Sequence, residues 1–202
     1  MHKAYKTVSL LFFLMEVLTQ RELRVREEEI LDKIKRGALF IYPTDTIYGI
    51  GCVASDACAV EKVRLVKKRA DTPFSIWVPS LAWVRLHCVV DSTVEGELKN
   101  LPGPITLILK LKDRKSIVTE VNNGAKTIGI RYPNHWFGKM VEKLGVAIVT
   151  TSVNIHGKPF MISIEDLDPG VETQIEFMIY EGPKDAKPSK IINLVEGGVR
   201  ER

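Results

Sequence analysis

Gly37-Ala38-Leu39-Phe40-Ile41-Tyr42-Pro43-Thr44-Asp45-Thr46-Ile47-Tyr48-Gly49-Ile50-Gly51 decides how this chain is read. Ala38 to Tyr42 is a short apolar strand halted by Pro43, which has no N–H to give to a ladder. Just upstream, Ile30, Leu31 and Ile34 recur at helical spacing within Arg26 to Arg36, and Gly37 stands where a glycine cap belongs. A helix, a strand and then a loop crowded with hydroxyls, a carboxylate and a phenol open an α/β domain. In such domains the ligand sits past a strand's carboxyl end. The competing reading is a turn whose Thr and Asp side chains satisfy nearby backbone groups. Gly49-x-Gly51-x-x-Ala54 has the form of a dinucleotide fingerprint, but Pro43 to Tyr48 separate it from the strand and Asp71 ends no second strand. These glycines are therefore expected to serve a tight turn.

Outward from this stretch, helix and strand periods alternate. Ser55 is the expected N-cap of a helix running to about Arg69, with Val60, Val63 and Val66 on one face. Strands are expected at Phe74 to Val78, Ile105 to Leu111, Thr127 to Tyr132, Val146 to Thr150, Ile175 to Tyr180 and Lys190 to Val195. Ser80 caps a helix through Leu86, and Gly145 ends one from Trp136 to Leu144. The expected fold class is α/β, a single domain over 27–202 with a mixed β-sheet flanked by helices. Residues 1–26 are expected to be a lead-in whose apolar run, Val8 to Leu14, forms a buried first strand; it is too short to span a bilayer. Met15 is a second candidate start.

With 202 residues, 45% hydrophobic and 27% charged, the composition excludes disorder, collagen and coiled coil for the bulk of the chain. A net charge of +4 suits a protein that meets phosphates without making it a nucleic-acid coat. Three cysteines, Cys52, Cys58 and Cys88, form no C-x-x-C pair and no disulfide framework, which fits a reducing, cytoplasmic setting.

Three further stretches carry candidate chemistry. Arg64, Lys67, Lys68 and Arg69 crowd a helix end; the macrodipole alone accounts for them, yet Lys67 and Arg69 suit a phosphate chain. Arg131 follows an apolar strand and suits forked binding of a carboxylate or phosphate, against a structural salt bridge. Ser152-Val153-Asn154-Ile155-His156-Gly157-Lys158-Pro159 is a polar loop that fits a phosphate or ribose, against an ordinary turn. No Walker loop, H-E-x-x-H, Cys/His ligand set or G-x-S-x-G elbow occurs, so no protein metal ligands and no enzyme nucleophile are expected.

In order along the chain, these pieces resemble the YrdC-like family, the threonylcarbamoyl-AMP synthases. P-T-[DE]-T-x-Y-G-[LI]-G is matched up to Gly51, K-x-R at Lys67 and Arg69, and P-G-P-[LI]-T-L-[IV]-L at Pro102 to Leu109. T-[VI]-x-[VI]-R-x-P is matched at Thr127 to Pro133, S-A-N-x-S-G-x-P with changes at Ser152 to Pro159, and P-S-T approximately at Pro188-Ser189-Lys190. The departures are Val153, His156, Lys190, Thr72 and Trp77. The resemblance implies a twisted sheet with a concave basic cleft. It also implies synthesis of threonylcarbamoyl-adenylate and pyrophosphate from L-threonine, bicarbonate and ATP with Mg2+, for modification of tRNA by a downstream transfer machinery. By the same resemblance, Thr46, Arg131, Ser152 and Ser189 hold L-threonine. Lys67 and Arg69 are catalytic and, with Thr127, Asn154 and Arg200, hold ATP. The alternative is a YrdC-like paralogue that mainly binds tRNA or double-stranded RNA; carbamoyl transfer to another amine is a distant third. No membrane association is expected.

Overall fold

The computed structural model describes residues 15–113 and 115–200, so the expected strand at Val8 to Leu14 lies outside the described residues. Its strands are β1 (Glu16–Leu18), β2 (Phe40–Tyr42), β3 (Gly49–Gly51), β4 (Ser75–Trp77), β5 (Ile105–Lys110), β6 (Thr127–Arg131), β7 (Ile148–Ser152), β8 (Phe177–Ile179), β9 (Lys190–Asn193) and β10 (Val199–Arg200). They form one mixed sheet in the order β1-β8-β2-β3-β7-β4-β6-β5-β9-β10. β1 pairs in parallel with β8, and helix Gln20–Val25 follows it under a Thr19/Glu22 capping box. Residues 16–25 of the expected lead-in are thus tied to the sheet.

Strand alternation sorts the side chains onto two faces. On one, Ile50, Ile76, Leu107, Ile130 and Val149 pack with Val60 and Val63 of helix Ala57–Lys67 in the larger core. The opposite face is divided. One part is aromatic: Phe40 stacks on Phe177 with ring centroids 5.3 Å apart, Tyr42 stacks on Phe137 at 5.1 Å, and Trp77 meets Phe137 edge-on at 5.7 Å. The other part is polar and holds the site described below.

Several boundaries differ from expectation for local reasons. Gly49 and Gly51 are not turn glycines; both lie in β3, opposite Tyr42 and Phe40 respectively, and neither has a positive φ. A Cβ on Gly51 would lie 2.6 Å from Tyr42 Cε1 and 3.1 Å from both Phe40 Cζ and the Val149 carbonyl oxygen. The missing side chain makes room for aromatic rings, not for a turn. Gly51→Ala is accordingly expected to lower stability by about 1–3 kcal/mol through overpacking, read as a fall in the urea midpoint.

Asp56, not Ser55, caps the following helix, accepting from the Ala59 N–H at 3.0 Å. That helix ends at Lys67, with Lys68 left-handed at φ 49°, so Arg69 sits in the loop beyond. Ser152 closes β7 instead of opening a loop, because its backbone pairs with Gly49. The helix expected from Trp136 begins at Gly138. A helix at Ser92–Leu98, capped by Asp91, was not expected at all.

Candidate active site

The polar part of the sheet is a strip of small and hydroxylated residues crossing five neighbouring strands. Gly49 on β3 lies opposite Ser152 on β7, Thr150 on β7 opposite Ser75 on β4, Ser75 opposite Gly129 on β6, and Arg131 on β6 opposite Thr106 on β5. Pairs in register share a face, so their side chains line up. Gly129 has a reason to be glycine: a Cβ there would lie 2.6 Å from the Ser75 hydroxyl.

Over this strip lies a cavity of about 90 Å³, walled also by Thr44, Thr46, Tyr48, Thr151, Phe160 and Ser189. Drug-sized ligands occupy roughly 300–1,000 Å³, so this hollow suits a small metabolite. Four residues expected to hold an amino acid, Thr46, Arg131, Ser152 and Ser189, line it together.

Arg131 is its cation and is only 6% exposed. Nη2 donates to Asp45 Oδ1 at 2.8 Å and to Thr46 Oγ1 at 3.3 Å. Nε is buried with no partner among the described residues. Burial pulls this guanidinium below its ordinary value and Asp45 opposes that. A buried donor without an acceptor costs about 1–3 kcal/mol. Arg131 thus forms a salt bridge with Asp45 and also lines the cavity.

The hydroxyls are organised before any ligand arrives. Thr44 Oγ1 donates to the Ile47 carbonyl at 2.7 Å and lies 3.0 Å from Thr46 Oγ1. Ser189 Oγ and Thr106 Oγ1 are 2.7 Å apart, both buried. The Tyr48 hydroxyl donates to the Gly182 carbonyl at 2.6 Å and accepts from the Glu181 N–H at 3.0 Å, anchoring the loop that carries Ser189. Glu181 fastens the same loop to His135 at 3.0 Å and to the Trp136 indole N–H at 2.6 Å.

Lys67 behaves differently from a solvated helix-end cation. It is 1% exposed, and Nζ donates to the Ser152 carbonyl at 2.6 Å, the Asn154 carbonyl at 2.9 Å and Asn154 Oδ1 at 2.8 Å. An ammonium has three donors, and all three are used. Ser152 Oγ also donates to Asn154 Oδ1, at 2.7 Å. Lys67, Ser152 and Asn154 are therefore one network, which meets the cavity at Ser152. Arg69 reaches it from the adjoining loop, donating to the Pro73 carbonyl at 2.8 Å and lying 3.5 Å from Thr151 Oγ1.

Arg64 holds that loop in place. Its guanidinium is buried and donates to the carbonyls of Arg69, Ala70 and Glu120 at 3.1, 2.8 and 2.8 Å, with its Cζ 4.6 Å from the Phe74 ring centroid. The Arg69 Cζ stands 5.2 Å from the same ring. Thr127 is not brought to the cavity. It shares the face with Gly129 and Arg131 but lies at the far end of β6, about 13 Å of strand from Arg131. Arg200 pairs with Ile191 across β9 and β10; its side chain lies outside what the structure describes.

The family model Sua5_yciO_yrdC, described as telomere recombination, matches residues 32–201. The chain belongs to this family. A Sua5/YciO/YrdC relative named putative threonylcarbamoyl-AMP synthase, from Methanocaldococcus jannaschii, is 32% identical over 181 residues, covering 88% of this chain and 84% of that protein. YciO of Escherichia coli (strain K12), uncharacterized, is 28% identical over 173 residues, covering 83% of each chain. Among solved structures, P. abyssi Sua5 complexed with L-threonine is similar with a TM-score of 0.80 and 27% identity. The match covers 90% of this chain and 54% of that one, so this chain spans about half the length of that Sua5.

Within this Sua5/YciO/YrdC domain, the sequence marks the loop holding Thr44, Asp45 and Tyr48 as a candidate ligand loop without individual roles, and it does not mark Ser75, Thr106 or Thr150. Thr106 sat inside the matched P-G-P-[LI]-T pattern and Ser75 two residues before Trp77, but only strand register reveals that they face Arg131 and Gly129. Among the described residues no helix is long and apolar enough to cross a membrane.

Proposed function

We propose that this protein is an L-threonylcarbamoyladenylate synthase, a nucleotidyltransferase that makes threonylcarbamoyl-AMP and pyrophosphate from L-threonine, bicarbonate and ATP. The observation that carries the reading is the small cavity that the Arg131 guanidinium lines together with the hydroxyls of Thr46, Ser152 and Ser189. That combination fits a small amino acid bearing a carboxylate and a hydroxyl. Its relatives' names and the threonine complex of P. abyssi Sua5 support the same substrate.

In this reading, Arg131 and Ser189 take the carboxylate, and Thr46 and Ser152 line the pocket. The threonine amine forms an N–C bond with carbon dioxide derived from bicarbonate and loses a proton, giving a carbamate. A carbamate oxygen then attacks the α-phosphorus of ATP; the new P–O bond forms as the bond to the β-phosphate bridge breaks and pyrophosphate leaves. No protein nucleophile is needed, since holding the reactants in line supplies about 7–11 kcal/mol of barrier reduction. Arg69 meets the phosphates. Lys67 acts through Ser152 and Asn154, fixing their geometry. Asn154 faces the nucleotide. Thr127 meets it only if the nucleotide extends along β6 past Gly129.

No group of three or more His, Cys, Asp or Glu side chains that could hold a metal occurs among the described residues. The cavity offers hydroxyls and a guanidinium, which do not fit a resident magnesium ion; we place magnesium on the phosphates of the incoming nucleotide.

The test is pyrophosphate release from ATP, magnesium and bicarbonate, with L-threonine, with serine, or with no amino acid. Threonine-dependent release is expected. Silence with every substrate, together with RNA binding that falls steeply with salt, would replace the synthase with the RNA-binding reading, which the relatives' names do not support.

A further inference from the structure

Asp45 holds a carboxylate beside the cavity, and the reaction above assigns it nothing. Its side chain is 10% exposed. Oδ1 accepts from Arg131 Nη2 at 2.8 Å and Oδ2 from the backbone N–H of Asn134 at 3.0 Å. One carboxylate thus ties the loop after β2 to the loop after β6, which carries Arg131 at its root. The same Nη2 reaches Thr46, itself fixed by Thr44. With that end of the guanidinium occupied, the Nε–H is left without a partner. Asp45 also lines a second, open hollow that adjoins the cavity across Thr46 and Pro188.

Charge balance has a chemical consequence. A buried guanidinium standing alone attracts any anion of suitable shape. A guanidinium already paired still offers a directed hydrogen bond to a carboxylate, but the pair together carries no net charge. A ligand with a positive group next to its carboxylate then gains from the nearby Asp45 what a plain anion does not.

We propose that Asp45 is the specificity-determining residue of the cavity: it aims the Arg131 guanidinium at a ligand carboxylate and balances its charge, so the cavity selects a zwitterionic amino acid over a monoanionic acid of the same shape. This rests on the amino-acid reading above. Asp45 is a positioning and charge-setting residue, not a group that enters the reaction.

The experiment compares two ligands by calorimetry: L-threonine, and 2,3-dihydroxybutyrate, in which a hydroxyl replaces the amine. Wild type is expected to prefer threonine. Asp45→Asn keeps the size and the acceptor for Arg131, gives up the acceptor of the Asn134 N–H, and removes the charge. It should weaken threonine by about 10-fold or more while leaving the hydroxy acid as tight as before or tighter, collapsing the preference. Asp45→Glu keeps the charge and should keep the preference, which guards against an asparagine variant that folds poorly. An unchanged preference in Asp45→Asn overturns the proposal, even if both ligands weaken together, because that pattern belongs to a purely structural carboxylate. Failure of wild type to bind threonine overturns the amino-acid reading itself, and the proposal with it. Normal threonine binding with an unchanged preference removes Asp45's role alone.

Discussion

Arg131→Lys is expected to leave a folded protein whose affinity for L-threonine has fallen by about 100-fold or more. The estimate follows from the lost geometry: hydrogen bonds to charged groups contribute about 1.5–3 kcal/mol each, and a lysine cannot reproduce a guanidinium's directed donors. Lysine retains a positive charge for Asp45, so the 2.8 Å ion pair of the wild type has a replacement. Arg131→Ala is a harsher change. It strands the nearly buried Asp45 carboxylate, which should cost about 3–5 kcal/mol of stability. Comparing the two variants by calorimetry with threonine and by urea denaturation separates binding from folding. A lysine variant that binds threonine as tightly as wild type would remove Arg131 from the site.

Lys67→Met is the second large effect, because it touches both stability and turnover. Methionine matches the length of the buried stem but leaves the carbonyls of Ser152 and Asn154 without their donor. The expected loss is about 2–4 kcal/mol in stability and at least tenfold in threonine-dependent pyrophosphate release. Its pH dependence is a sharper signature. Burial, and then the neighbouring Arg69, push the Lys67 ammonium from 10.5 down to about 7. The folded value lies below the unfolded one, so between them the unfolded chain binds the extra proton and stability rises with pH. The contribution is absent below about pH 7 and grows up to about 10.5, by at most about 1.4 kcal/mol per pH unit. The methionine variant has no such group. The stability gap between wild type and variant should therefore widen from pH 7 to pH 9.5 in urea melts. A gap that stays flat across that range would mean that the three oxygens around Nζ hold the ammonium charged against its burial.

Much of the scaffold is legible in local sequence. The apolar runs of β2, β5, β6 and β9, the Ser80 cap and the glycine ending the helix at Leu144 all follow from periodicity and capping chemistry. These signals need only a few neighbouring residues. β1 and β3 are not legible in this way, although β2, β4 and β8, also of three residues, are. Gly49-Ile50-Gly51 has neither a polar/apolar alternation nor β-branched bulk to mark both ends, and its pairing partners are Phe40 to Tyr42 and β7.

The site divides along the same line. By itself the sequence determined that the chain carries the ordered motifs of a known family, and that Thr46, Arg131, Ser152 and Ser189 were candidates for one pocket. The resemblance alone grouped them: Arg131 and Ser152 end strands, Ser189 precedes one, and Thr46 lies in the loop between β2 and β3. Only the tertiary structure decided what each long side chain does. Lys67 turns inward because three oxygens from a strand end far along the chain surround it, and Arg64 turns from a helix-end cation into a loop anchor for the same kind of reason. Thr127 falls outside the cavity because strand rise separates it from Arg131, and Asp45 becomes Arg131's partner because two loops meet. Periodicity and capping are short-range along the chain. Charge pairing, burial and donor accounting are contacts across it, and they exist only once the sheet has assembled.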